Sequence, residues 1–225
     1  MSEVNSVQLV LALGHAESFA REDFIAGPSN AAALSLIDRW PDWPDRLVVL
    51  AGPEGAGKSH LAMVWADKAG ARFLSGRALG YADLPEALST GALVVEDVSP
   101  RVDELALFHL LNLAREHHTY VLLTSRSAPS SWTLALPDLV SRLRALPVVA
   151  VAPPDDALLE TVIAKLAADR QIALDDVLLR YLSHRVERSF AGAKAAIDRL
   201  DREAMRQHRP VTRALAAELF RDGAA

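Results

Sequence analysis

Residues 52–59 have the sequence Gly52-Pro53-Glu54-Gly55-Ala56-Gly57-Lys58-Ser59, which fits the pattern G-x-x-x-x-G-K-[ST] at every fixed position. A short apolar run, residues 47–51, precedes this glycine-rich stretch and has the length of a buried strand. Residues 59–69 follow with helical spacing of their apolar side chains. The stretch is therefore predicted to be a phosphate-binding loop between a strand and a helix, which is the context that this pattern requires.

The chemistry of this loop suits nucleotide phosphates. Its glycines let backbone N–H groups curl around phosphate oxygens, and the positive end of the following helix faces the same anions. Lys58 is expected to reach the terminal phosphates, and Ser59 to offer its hydroxyl to Mg²⁺. A chance glycine-rich turn is the alternative, but the flanking strand and helix favour binding of ADP or ATP. The residues expected at the nucleotide are Gly52, Pro53, Glu54, Gly55, Ala56, Gly57, Lys58, Ser59 and His60.

Two acids end a second buried run. Residues 92–95 are Ala-Leu-Val-Val, and Glu96 and Asp97 follow them. In sites of this kind the first acid usually holds Mg²⁺, directly or through water, and the second orients the attacking water. Glu96 is therefore the predicted metal-side acid and Asp97 the candidate base, with a solvated strand end as the alternative. Because the longer acid stands first, the water is expected to be misplaced and intrinsic hydrolysis to be weak.

Composition excludes several classes of protein. The 225 residues are 51% apolar and 24% charged, which is an ordinary globular composition. Without cysteine, the chain has no disulfide, Cys-ligated zinc or thiol catalysis, and a cytoplasmic setting is expected. The net charge of −5 argues against a dedicated duplex-DNA binder. No membrane association is expected, because the longest apolar runs are strand-sized and a membrane span needs about 20 residues.

Strands and helices are predicted to alternate along the first two thirds of the chain. Buried runs predict strands at 47–51, 72–75, 92–95, 120–124 and 147–151. Helices are predicted at 30–40, 59–69, 84–88, 103–117 and 139–146, with Ser29 and Asp103 as N-caps. This alternation indicates an α/β fold whose parallel sheet is covered on both faces.

The pattern changes at Pro153-Pro154, beyond which only helices are predicted. Their ranges are 155–170, 175–187, 189–207 and 212–220, with Asp155 and Thr212 as N-caps. The predicted domains are an N-terminal segment at 1–20, an α/β nucleotide-binding core at 21–152 and a helical lid subdomain at 153–225.

With the helical tail, these motifs resemble the AAA+ ATPases, and further segments are similar to the DnaA branch of that family. Residues 23–30, Asp-Phe-Ile-Ala-Gly-Pro-Ser-Asn, resemble the F-[VI]-x-G-x-x-N segment that lines the adenine pocket of DnaA proteins. The match implies that Phe24 and Ile25 contact the nucleotide. The resemblance covers roughly residues 20–220 and implies an AAA+ P-loop NTPase core. It further implies a five-stranded parallel sheet of order 5-1-4-3-2 and a C-terminal α-helical lid.

Residues 121–126, Val-Leu-Leu-Thr-Ser-Arg, match the DnaA-family strand that ends in T-S-D and carries sensor 1. Arg126 replaces the acid of that pattern, so Ser125 or Thr124 must serve there. In the sensor 2 helix, Ala191 replaces the usual arginine, and Lys194, one turn later, is the candidate substitute at the phosphates. These departures again favour slow intrinsic turnover.

Residues 138–143, Asp-Leu-Val-Ser-Arg-Leu, match the L-x-S-R-[LF] box of the DnaA family, which implies that Arg142 is an arginine finger. Such a guanidinium can stabilise the charge that develops on the γ-phosphate of a neighbouring subunit. The alternative is a structural arginine that pairs with an acid on its own helix.

Residues 8–13, Gln-Leu-Val-Leu-Ala-Leu, resemble the Q-L-x-L-x-L hexapeptide by which proteins dock on the bacterial sliding clamp. In that mode, an extended segment puts leucines into an apolar groove while glutamine bonds at its rim. An ordinary edge strand with alternating apolar residues is the alternative. The expected clamp contacts are Gln8, Leu9, Leu11 and Leu13.

The combination resembles the Hda-type regulators within the DnaA-related family. The chain ends at Ala225, so we expect no helix-turn-helix module and no direct sequence-specific DNA binding. The resemblance implies two partners, DnaA and the sliding clamp (the beta subunit of DNA polymerase III), and allows a homo-oligomer. It implies a regulator that holds nucleotide, as ADP, and stimulates ATP hydrolysis by DnaA. The alternatives are a helicase-loader type ATPase and a nucleotide-binding adaptor without enzymatic activity.

Overall fold

The computed structural model describes residues 20–220, and its centre is a parallel sheet of five strands. The strands are β1 Leu47–Ala51, β2 Arg72–Ser75, β3 Ala92–Val98, β4 Tyr120–Ser125 and β5 Val148–Ala150. Their order across the sheet is β2-β3-β4-β1-β5, and all four neighbouring pairs are parallel. The predicted order is therefore confirmed, as are the bounds of β1 and β2.

Five helices accompany the sheet and four follow it. The first group is α1 Ala31–Arg39, α2 Lys58–Ala69, α3 Leu84–Ala87, α4 Glu104–Glu116 and α5 Pro137–Arg144. The C-terminal helical part consists of α6 Asp156–Asp169, α7 Asp176–Ser183, α8 Phe190–Gln207 and α9 Arg213–Leu219. In residues 20–220 we find no helix that is both long and apolar enough to cross a membrane.

The sheet is buried on both faces because successive strand residues point into different cores. One core joins Val49, Val95 and Leu123 to the apolar faces of α4 and α5. The other joins Leu50 and Leu122 to α1 and α2. This confirms the prediction of a doubly covered sheet. A third core lies within the C-terminal helical part.

The capping predictions are confirmed at three helices and wrong at one. The carboxylate of Asp103 accepts hydrogen bonds from the first turn of α4, and Asp155 and Thr212 cap α6 and α9. Ser29 does not cap α1, because that helix begins one residue later, at Ala31, with Asn30 at the N-cap position. The Asn30 side chain instead bonds back into the preceding loop.

Candidate nucleotide-binding site

The predicted phosphate-binding loop connects β1 to α2 at the carboxyl edge of the sheet. Gly55 and Gly57 have φ of 72° and 90°, a left-handed conformation that glycine adopts without steric cost. The Lys58 ammonium donates hydrogen bonds to the carbonyl oxygens of Gly52 and Pro53, at 2.8 and 2.7 Å. The loop therefore holds a lysine at the start of a 12-residue helix, where anions are favoured.

Residues 23–30, the predicted adenine-pocket segment, reach this site from a separate part of the chain. Asn30 is buried; its side-chain oxygen accepts a hydrogen bond from the Gly27 amide at 2.9 Å, and its amide donates to the Ile25 carbonyl at 3.0 Å. Phe24 is buried, and its ring lies edge-on to the His60 ring with centroids 5.2 Å apart. The structure thus brings Phe24 and His60 together beside the loop.

Helix α8 closes the other side of the loop. The Phe190 amide donates a hydrogen bond to the Gly55 carbonyl at 2.9 Å, and a Cβ placed on Gly57 would lie 3.1 Å from the Phe190 ring. Phe190 is a contact that was not predicted; its aromatic ring directly after the predicted start of a helix is the signal that the sequence offers. Phe24 lies 3.5 Å from the same Gly57 position, so two aromatic rings flank this glycine.

Ala191, at the predicted sensor 2 position, lies where α8 meets the phosphate-binding loop, whereas Lys194 lies beside an acid of its own helix. A Cβ placed on Gly55 would lie 3.4 Å from the Ala191 Cβ. The Lys194 ammonium lies 3.5 Å from the Asp198 carboxylate on the same helix, and Asp198 also accepts a hydrogen bond from Arg170. The described contacts of Lys194 therefore include an acid of α8, and its role at the phosphates stays a prediction.

The two acids lie on β3 rather than after it, at a β-bulge. Val95 pairs with Leu123 and Val98 with Ser125, so one extra residue of β3 is inserted between these pairs. Asp97 has a φ of 55°, which is uncommon outside glycine and concentrated in turns and functional sites. Its amide donates to the Thr124 hydroxyl at 3.0 Å, which anchors the bulge to β4.

Both carboxylate oxygens of Asp97 face arginines. Arg77 donates to Oδ2 at 2.9 Å, and the Arg126 Nε lies 3.6 Å from Oδ1. Arg126 also pairs with Glu54 of the phosphate-binding loop at 2.8 Å. None of these pairings follows from sequence spacing. The Asp97 carboxylate is therefore held between two guanidinium groups.

The environment of Glu96 fits a cation. Its Oε1 atom is buried and accepts no hydrogen bond from the described residues, which is costly unless another partner compensates. Among residues 20–220, no group of three or more acidic, histidine or cysteine side chains could hold a metal alone. Mg²⁺ is usually held by one or two carboxylates together with substrate phosphates, and the Glu96 carboxylate, with this unbonded Oε1 atom, fits that kind of ligand.

Both hydroxyls of the predicted sensor 1 position make hydrogen bonds within the protein. Ser125 is fully buried and donates to the Ser127 carbonyl at 2.8 Å, whereas the Thr124 hydroxyl accepts from Asp97. Beside these groups, burial lowers the pKa of Lys58, and the positive charge of Arg126 lowers it further. Nearby Asp97, Glu54 and Glu96 oppose this pKa shift. The charges of Arg126 and of the three acids therefore all act on Lys58.

Arg142 lies on α5, and its guanidinium carbon is 5.1 Å from the centre of the Phe108 ring on α4. Within the described part of the chain, no carboxylate lies within ion-pair distance of Arg142, so the pairing with an acid of its own helix is not found there. Phe108 was not predicted. The Arg142 side chain is half-buried, and its charge remains available to a partner molecule.

A cavity of about 520 Å³ opens beside the acids. Its walls come from the segments that follow β2, β3 and β4, which meet at the carboxyl edge of the sheet. Arg77, Arg101 and Arg126 line it together with Asp97 and the indole of Trp132. Three arginines against one acid favour an anionic ligand.

Comparison with known proteins shows which folds this architecture resembles. No model of a known protein family matches the sequence. Domain III of the Thermotoga maritima replication initiation protein DnaA superposes with a TM-score of 0.75 at 20% identity, over 91% of this chain and 96% of that one. The fold is that of the AAA+ NTPases. A replication initiator DnaA bound to AMPPCP and single-stranded DNA superposes with a TM-score of 0.68 at 18% identity, over 84% and 68% of the two chains.

The sequence is also distantly similar to a DnaA protein. The chromosomal replication initiator protein DnaA of Thermomicrobium roseum is 23% identical over an alignment of 237 residues, which covers 90% of this chain. The chain spans about half the length of that relative, 49%. The predicted clamp contacts, Gln8, Leu9, Leu11 and Leu13, lie outside the described residues.

Proposed function

We propose that the chain binds ADP or ATP with Mg²⁺ at the loop between β1 and α2. The observation that carries this proposal is the meeting of Lys58, Glu96 and Asp97 at the carboxyl edge of the sheet. Phe24, Ile25 and Phe190 would contact the nucleoside, Lys58 the phosphates, and Ser59 with Glu96 the cation. A bound Mg²⁺ would neutralise part of the phosphate charge. The chain's own hydrolysis would be slow, because Asp97 is paired with two arginines.

On this basis the chain is a cytoplasmic, Hda-like negative regulator of replication initiation. Arg142 would enter the active site of ATP-bound DnaA and promote hydrolysis there, leaving the ADP form. Its position supports this role: the guanidinium rests on the Phe108 ring and pairs with no carboxylate of the described residues. Residues 8–13 would tether the chain to the sliding clamp, which would bring it to DNA.

The decisive experiment measures ATP hydrolysis by DnaA with the protein and DNA-loaded clamp added. Because an arginine finger accelerates phosphoryl transfer by about 10³-fold or more, Arg142→Ala should abolish the stimulation. The change should affect folding only modestly, since a cation–π contact of a half-buried arginine contributes about 1 kcal/mol. Arg144, which is exposed on the same helix, provides the matched control: Arg144→Ala removes the same charge and should keep the stimulation.

The clamp is tested separately. A Gln8→Ala/Leu9→Ala variant should lose clamp binding in a pull-down and lose the clamp-dependent part of the stimulation. Absence of clamp binding by the unmodified protein, or full activity of Arg142→Ala, would remove the regulator proposal while leaving nucleotide binding standing.

The arginine-lined cavity supports a second candidate, a DnaA-related or helicase-loader type ATPase that acts on DNA or on a helicase. Arg77, Arg101 and Arg126 offer the planar donors that suit phosphodiesters. Strong ATPase activity stimulated by single-stranded DNA without the clamp would favour this candidate over the regulator.

A further inference from the structure

Four charged side chains form a continuous chain across the carboxyl edge of the sheet. Arg77 contacts one oxygen of Asp97 at 2.9 Å, Arg126 lies 3.6 Å from the other oxygen, and Arg126 contacts Glu54 at 2.8 Å. Glu54 belongs to the phosphate-binding loop, Asp97 to β3, and Arg126 follows β4. Because β3, β4 and β1 are adjacent in the sheet, Arg126 bridges the two halves of the nucleotide site.

The guanidinium of Arg126 lies in the region where terminal phosphates are expected. It is near enough to Lys58 that its charge lowers the pKa of that lysine. Its two acidic partners flank the same lysine and act on it in the opposite direction. Lys58 and Arg126 are therefore two neighbouring cations. Each contacts protein oxygens that a phosphate oxygen can replace.

The acidic partners of Arg126 are easily exchanged. The side chains of Arg126, Glu54 and Asp97 are 56%, 74% and 39% exposed. Ion pairs of this kind contribute little net free energy, because water solvates both separated charges well. A doubly charged terminal phosphate offers more charge and several acceptor oxygens in a fork that matches a guanidinium.

We propose that Arg126 is a partner-exchanging switch that distinguishes nucleoside triphosphate from diphosphate within this chain. With a triphosphate, the guanidinium leaves Glu54 and Asp97 and binds the terminal phosphate; with a diphosphate, it stays on the two acids. The exchange frees one oxygen of Asp97, while Arg77 keeps the other. This inference rests on the proposed nucleotide binding and assigns a role to Glu54 as the competitor that sets the threshold.

The test compares affinities for a non-hydrolysable ATP analogue and for ADP, each with Mg²⁺, by isothermal titration calorimetry. Arg126→Ala should lower the analogue affinity relative to ADP by roughly tenfold, the usual scale of a hydrogen bond to a charged group. Glu54→Gln, which keeps the shape and removes the competing charge, should raise the same ratio by about threefold, within the range of an exposed pair. The two variants must move the ratio in opposite directions.

Arg39→Ala is the matched control, because Arg39 is an exposed arginine of α1 outside the arginine-lined cavity and its loss changes the net charge equally. It should leave the ratio unchanged. An unchanged ratio in Arg126→Ala with ADP still bound, or in Glu54→Gln, overturns the proposal. If Arg126→Ala does not fold by circular dichroism, Glu54→Gln alone decides. Failure of the unmodified protein to bind either nucleotide refutes nucleotide binding itself, a different result from an unchanged ratio.

Discussion

Replacing Gly55 with alanine should weaken the contact between the phosphate-binding loop and α8. Gly55 has a φ of 72°, and the nearest atom to an added Cβ is the Ser189 Cβ at 2.7 Å, with its hydroxyl at 2.9 Å. Ser189 caps α8 by accepting a hydrogen bond from the Gly192 amide at 2.9 Å. The added methyl group therefore clashes with the N-cap of α8, which cannot shift without moving the start of the helix.

Two costs add at this position. An alanine in the left-handed conformation costs about 1–2 kcal/mol, offset in part by the lower entropy of its unfolded chain. Overpacking a close contact adds about 1–3 kcal/mol. We therefore expect Gly55→Ala to lower the free energy of unfolding by about 2–4 kcal/mol. If α8 moves away to relieve the contact, part of this cost appears instead as weaker ADP binding.

Gly70 separates the two costs. It has a φ of 62° at the end of α2, and nothing lies within 4 Å of its added Cβ. Gly70→Ala should therefore show the backbone cost alone, about 1 kcal/mol, with unchanged ADP affinity. Urea denaturation and calorimetry of both variants measure the difference. Equal stabilities and equal ADP affinities for the two variants would refute the proposed packing of α8 on the loop.

Three further outcomes follow from the described contacts. Burial and Arg126 lower the pKa of Lys58, so on raising the pH this lysine loses its charge earlier than an exposed lysine does. ADP affinity measured across the alkaline range should therefore fall with that loss of charge. Arg126→Ala should move the fall to higher pH. Glu96→Gln should weaken ATP binding in Mg²⁺ but not in EDTA, as fluorescence titrations in the two buffers would show; equal losses in both would contradict the cation role. Asp103→Ala should cost about 1 kcal/mol in urea denaturation without altering ADP affinity, because it removes only the cap of α4.

Local patterns predicted the fold well. Buried runs placed β1 and β2 at their observed bounds, and short polar residues before apolar stripes located the caps of α4, α6 and α9. These features depend on neighbours in sequence. The pattern predicts Ser29 as the cap of α1, with Asn30 inside the helix. Only the fold shows that Asn30 occupies the N-cap position and holds the loop at Gly27.

The details of the site depend on contacts between distant segments, and these were not predictable from one sequence. The bulge at Asp97 arises from its pairing with β4, and the packing of Phe190 on Gly57 joins segments more than 100 residues apart. Arg126 departs from the T-S-D pattern of DnaA proteins, but its pairing with Glu54 depends on the order of the strands in the sheet. Spacing predicts which side chains share an element, not which loops meet at its edge.

The position of Arg142 has a consequence for assembly symmetry. Helix α5 belongs to one covered face of the sheet, whereas α2, which begins at the phosphate-binding loop, belongs to the other. A contact in which Arg142 completes a nucleotide site of this architecture in another molecule therefore joins two unlike surfaces. Such a contact is heterologous, so the same pair of surfaces cannot be satisfied in both directions across a twofold axis. An assembly built through Arg142 would consequently have a polarity, with one arginine surface and one nucleotide surface left at its two ends.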